Sequence, residues 1–191
     1  GVKSAPEVHG LNLWSKDVMD RDHIFAARGR MGLTHDAMRV ARGERYKLIH
    51  NLMPERAWLQ YSGYKEDNYP MLAEMNVLYL QGKLNADQVK FFEHSKPEFE
   101  LYDLREDPHE LNNLATSPAH QKIQADLLTR LNTWREFIRD EGVSDDCRYG
   151  GRPSTYPTRS LEGWQARQAA WQRYVHRDPD EDVPHPFKQK Y

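Results

Sequence analysis

Polar and apolar positions alternate most clearly at residues 99–104, where Phe99 and Leu101 interleave with Glu98, Glu100 and Tyr102. A period of two predicts a half-buried strand. Asp107, Pro108 and Glu110 follow at the spacing of N-cap, N1 and N3 of a short helical turn. There Asp107 accepts an otherwise unpaired N–H, and the missing N–H of Pro108 costs nothing. The stretch therefore reads as a strand running into a capped turn.

Earlier in the chain, residues 24–27 form a short apolar run that predicts a buried strand. Residues 28–36 read as a loop, broken by Gly29 and Gly32. Residues 37–41 and 45–52 read as a β-hairpin turning at Arg42-Gly43-Glu44, with Met38 and Val40 on one face. Pro54 ends its second strand, and residues 53–67 read as irregular. A helix over 71–81 follows from Leu72, Met75 and Tyr79, with Gly82 as its stop. A second helix opens at Asn85 with Gln88 at N3, stapled by Leu84 and Val89, and ends near His94.

Ser117 and Pro118 open the longest helix, ending near Gly142. Its Ile123, Leu127, Leu131, Trp134 and Ile138 make one stripe that predicts packing across a sheet. Beyond Ser144, Pro and Gly punctuate a charged segment with one helix over 161–175, where Trp164, Gln168 and Trp171 lie near one face. It reads as an arm over the domain or over an absent partner. The pattern predicts an α+β fold: an antiparallel sheet of about four strands on a long helix, with a helical insertion and an extended tail. Three parts follow: a lead-in (1–21), a compact body (22–143) and an arm (144–191).

Composition narrows the function. Of 191 residues, 38% are apolar and 29% charged, and mean hydropathy is −0.92. That is polar for a free-standing domain, so the chain is either partly extended or rests on another body. A net charge of −2 argues against a nucleic-acid binder. One cysteine, Cys147, permits no internal disulfide, and no apolar run approaches the ~18 residues of a membrane span. A start at Gly1 suits a processed chain or a severed domain.

The pattern E-L-Y-D-L-x-x-D-P-x-E-x-x-N-L-A, from Glu100 to Ala115, resembles the end of the C-terminal subdomain of type I sulfatases, which share an alkaline phosphatase-like fold. Met38-Arg39-Val40-Ala41-Arg42, followed by Tyr46-Lys47-Leu48-Ile49-His50-Asn51, is a second match. Within the family these segments look most like the heparan N-sulfatase (sulfamidase) branch. The resemblance spans roughly residues 24–142 and implies the C-terminal part of an enzyme that hydrolyses sulfate esters or sulfamates of sulfated sugars. It implies a catalytic domain of the same parent chain as partner, and a secreted, periplasmic or lysosomal setting.

Chemistry concentrates before residue 48. Between Arg21 and Lys47, the seven basic residues Arg21, Arg28, Arg30, Arg39, Arg42, Arg45 and Lys47 face only Asp22, Asp36 and Glu44. Arginine suits bidentate contacts with carboxylate or sulfate oxygens. A solvated basic hairpin is the plain reading. The resemblance implies instead that the loop faces the substrate pocket, with Arg28, Arg30, Thr34, His35 and Asp36 as substrate-binding residues.

No catalytic residue and no metal ligand is assigned in this chain. Cys147 is followed by Arg148 and Tyr149, which does not match the C/S-x-P-x-R motif that yields the family's formylglycine. The acidic pairs that bind the family's calcium have no clear counterpart, and Asp145-Asp146 reads as a solvated turn. Formylglycine and calcium are thus implied only for the catalytic domain, and this chain is expected to be inactive alone. His94, His109 and His120 read as surface or capping residues. The alternative is a stand-alone, non-catalytic module that binds anionic glycans or docks on a protein. A severed subdomain should expose apolar surface and can self-associate; a free module should hide it.

Overall fold

The computed structural model describes residue 14 and residues 21–31, 34–144 and 155–187. Most of the lead-in, together with Asp145, Asp146 and Cys147, lies outside the described residues. Strands β1 (Ile24–Met31), β2 (Thr34–Arg42), β3 (Tyr46–Asn51) and β4 (Phe99–Asp103) form one antiparallel sheet in sequence order. Between β3 and β4 lie helices α1 (Gly63–Asn68), α2 (Pro70–Leu80) and the single turn α3 (Ala86–Val89), which continues into a 3-10 turn at Lys90–Phe92. Helix α4 (Gln121–Phe137) follows a 3-10 turn at Pro118–His120, and α5 (Leu161–Val175) ends the described fold.

The expected stripe builds the main core. Phe25, Ala41, Leu48 and Leu101 stand side by side across the four strands. Leu127 and Leu131 of α4 bury themselves on that row, flanked by Ile123 and Trp134. Trp134 stacks on Phe25 with ring centroids 5.4 Å apart. Each such buried side chain contributes about 1.5–3 kcal/mol before entropy costs. Ile138, expected to continue the stripe, sits at the helix C-cap.

Arg39 links the two layers. From β2 it donates to both carboxylate oxygens of Asp140, just past α4, at 2.8 and 2.5 Å. Arg135 of α4 donates to the same carboxylate at 2.7 Å. Arg39 first, then Arg135 and the Gly142 N–H, hold the Asp140 carboxyl well below the usual carboxylate range.

Two expectations are corrected by the structure. Residues 28–31 and 34–36, expected in a loop, belong to strands: Arg28 pairs with Met38, Arg30 with His35 and Met31 with Thr34. The register shifts between Arg28 and Arg30, so Gly29 is absorbed in a bulge instead of ending the strand. Asp107-Pro108-x-Glu110 is the expected turn with Asp107 as a cap, but it lacks helical geometry. Glu110 has φ +57°, which no helix accepts, and Asp107 takes its N–H from Asn112 at 2.8 Å. The capping box at Asn85 and Gln88 forms as expected, but its helix is one turn long.

The C-terminal helix has a defined role. Trp164 and Trp171 of α5 pack on Leu72, Ala73 and Val77 of α2, with Phe92 and Tyr156, to make a second core. Phe187 closes back onto Trp171, and the Arg167 guanidinium lies 3.7 Å from the Phe187 ring centre. The arm therefore covers the helical insertion.

Candidate functional site

Three of the five residues expected at the substrate pocket lie together at the start of β2. Thr34, His35 and Asp36 are all buried, and Arg28 and Arg30 run opposite them on β1. The Asp36 carboxylate is 1% exposed and receives both bonds of a buried ammonium, Lys96 Nζ, at 2.9 and 2.8 Å. Gln60 Nε2 donates to it at 3.3 Å, and Arg28 Nη1 lies 3.9 Å away. Lys96 also donates to the Arg56 carbonyl at 3.1 Å, and Thr34 Oγ1 to the Tyr61 carbonyl at 3.0 Å. The segment 56–61 is thereby fastened to the end of β2 by side chains from both directions.

This wiring separates two tasks. Asp36 and Thr34 spend their polar atoms on the protein, so they hold the strand end in place. Arg28 is about one-third exposed, and Arg30 is exposed. Arg28 is itself steadied: its carbonyl accepts from Arg39 Nη1 at 2.8 Å. A second cation is close: the Lys65 ammonium is pushed below its ordinary range by burial and then by the charge of Arg28. An anionic group placed there relieves that like-charge repulsion.

The basic run seen in the sequence is divided by the fold. Arg39 is committed to Asp140, Arg45 to Asp103 at 2.7 Å, and Lys47 to Glu110. Arg45 holds the Asp103 carboxyl down to about 2. The end of the hairpin that bears Arg28 and Arg30 is the end that faces the strand residues Thr34, His35 and Asp36. Lys96, Gln60 and Lys65 went unnoticed in the sequence. They lie about 25 to 60 positions from Asp36 in segments without periodicity, and only the sheet's return at β4 brings Lys96 back.

Of the other polar residues singled out, His94 and His109 are exposed, and His120 bonds Ser117 Oγ at 2.9 Å beside α4. Among the described residues, no group of three or more His, Cys, Asp or Glu side chains could hold a metal. Among the described residues, no helix is long and apolar enough to cross a membrane.

Comparison with known proteins follows the same segments. The family model for "N-sulphoglucosamine sulphohydrolase, C-terminal" matches residues 83–137. An "Ulvan-active sulfatase" of Formosa agariphila is 37% identical over 122 residues, covering 64% of this chain and 20% of that protein. Another "Ulvan-active sulfatase" of the same organism is 28% identical over 137 residues, covering 67% of this chain and 24% of that protein. The solved structure of a 2-O GAG sulfatase covers 74% of this chain and 24% of its own, at 21% identity and a TM-score of 0.39. The chain spans about a fifth to a quarter of the length of the curated relatives it matches. The family match lies across α3, β4 and α4, and with the curated relatives it supports a sulfatase C-terminal domain in this part of the chain.

Proposed function

We propose that the chain is part of a sulfatase that hydrolyses sulfate esters or sulfamates on a sulfated sugar, and that it forms one wall of the substrate pocket. Arg28 and Arg30 contact the anionic sugar, His35 lines the wall, and Thr34 and Asp36 fix its geometry. The observation that carries this is the partly exposed Arg28 beside an Asp36 already ion-paired to Lys96, with Lys65 as a second cation. Both curated relatives are named for ulvan, whereas the family model over residues 83–137 is named for N-sulphoglucosamine. The latter supports a place near the sulfamidase-like branch.

The nucleophile and the calcium belong, in this reading, to a catalytic domain on the same parent chain. Ile24, Ala26 and Ala27 of β1 are exposed, which supports such a body resting there. The test is Arg28→Ala in the longer sulfatase that bears this segment, assayed by sulfate release from a sulfated oligosaccharide. Losing a charge-assisted contact should lower kcat/KM roughly tenfold or more. An unchanged kcat/KM, or sulfate release by the isolated 191-residue chain, defeats the proposal.

A further inference from the structure

On the sheet face away from α4, β4 and the insertion enclose a pocket of about 450 Å³. Trp58, Phe91 and Tyr102 bring three aromatic rings to its wall, and the carboxylate of Glu100 forms part of its lining. Glu100 is only 4% exposed. Its Oε1 accepts from Asn51 Nδ2 at 2.6 Å and Trp58 Nε1 at 3.4 Å, and its Oε2 from the Tyr102 hydroxyl at 2.6 Å. All three donors are neutral. Among the described residues, no lysine, arginine or histidine forms an ion pair with it, unlike the equally buried Asp36.

The rest of the lining decides what could sit there. Lys90 spends its ammonium on Asp87 at 2.7 Å and on the Leu111 carbonyl at 3.1 Å. Glu110 is paired with Lys47. Asn113 is fully used: Oδ1 accepts from the Leu101 and Ala115 N–H groups, and Nδ2 donates to the Phe99 carbonyl. Apart from the exposed His109 at the rim, directional donors and acceptors are largely taken, so a neutral polyol finds few partners. An anion meets Glu100 and the exposed Glu93. Burial first, then Glu100, Glu110 and Asp107, push the Tyr102 hydroxyl above its ordinary range, as expected where further negative charge is disfavoured. What is left unmet is a buried negative charge beside aromatic faces, the setting in which a soft organic cation binds.

We propose that this pocket is a binding site for an organic cation, an alkylammonium or guanidinium group, held by the faces of Trp58, Phe91 and Tyr102 and by the charge of Glu100. The site is independent of the sulfatase reading. A free quaternary amine and an arginine side chain share this chemistry.

The test is titration of the 191-residue chain, followed by the Trp58 indole N–H in ¹⁵N-edited NMR at fixed ionic strength. The probes are choline, Nα-acetylarginine amide, and 3,3-dimethylbutan-1-ol, which has the shape of choline without its charge. At least one cation should saturate the shift, with the alcohol roughly tenfold weaker. Tighter binding of choline points to a free amine, and tighter binding of the arginine amide to a basic side chain. Glu100→Gln keeps an oxygen for Asn51 and Trp58 and should abolish the preference for charge. Phe91→Ala, at the half-exposed rim, should weaken the cation about threefold. The proposal is overturned if neither cation shifts the indole, if the alcohol binds as tightly as choline, or if Glu100→Gln retains the preference.

Discussion

Replacing Lys96 by Met tests the anchor of the candidate site. The substitution keeps an unbranched side chain only one atom shorter and removes its charge. Three hydrogen bonds go with it: two to Asp36 and one to the Arg56 carbonyl. Asp36 stays 1% exposed, left with Gln60 at 3.3 Å and Arg28 at 3.9 Å. Breaking one side of a buried ion pair costs about 3–5 kcal/mol, because the remaining charge is stranded. The nearby Arg28 places the expected loss toward the lower end. With a urea slope of about 2 kcal/mol/M, the unfolding midpoint should fall by about 1.5–2.5 M. Adding Asp36→Asn to Lys96→Met removes the stranded charge and should recover much of that loss. Arg105→Ala, in the exposed pair with Glu44, is the control and should cost less than about 1 kcal/mol. A midpoint shift below about 0.3 M for Lys96→Met refutes the reasoning.

Trp164→Ala removes the largest fully buried side chain and should cost about 3–5 kcal/mol by calorimetry or denaturant titration; a loss under about 1 kcal/mol would mean that α5 does not stay on α2. Asp140 gives a pH prediction. Its carboxyl titrates lower in the folded chain than in the unfolded chain, so between those two values the unfolded state binds more protons. Its contribution is therefore complete above the ordinary carboxylate range of about 4 and fades as pH falls through the folded value. Asp140→Asn should flatten the acid side of a midpoint-against-pH curve measured from pH 5 down to pH 2. An unchanged slope counts against the Arg39–Asp140–Arg135 cluster.

Much of the fold was legible because it rests on local periodicity. The stripe on α4 pointed to the face that packs, and the span of α5 at Leu161–Val175 agrees with the expectation. Gly82, at φ +66°, stops α2 as its position suggested. Legibility failed where tertiary contacts outweighed local chemistry. Gly29 looked like a breaker, yet pairing on both sides carried β1 through it. Glu110 had the spacing of N3 in a helical turn, but it sits at φ +57° and pairs with Lys47. In the candidate site, Arg28, Arg30, Thr34, His35 and Asp36 were found as a cluster through family resemblance. What Asp36 does was not readable, because Lys96 lies 60 positions away in an irregular segment.

The second core has a consequence for synthesis on the ribosome. The sheet and α4 have all their elements once residue 137 has emerged. Helix α2 ends at Leu80, but its cover, Trp164 and Trp171, comes more than 80 residues later. At about 5–20 residues per second, the apolar face of α2 waits for roughly 4 to 18 seconds before α5 arrives. In that interval the sheet can be folded while Leu72 and Val77 are uncovered. A ribosome that stalls in the 138–160 stretch would thus present a half-finished protein with a sticky helix on its surface, and that helix is where a chaperone would have reason to bind.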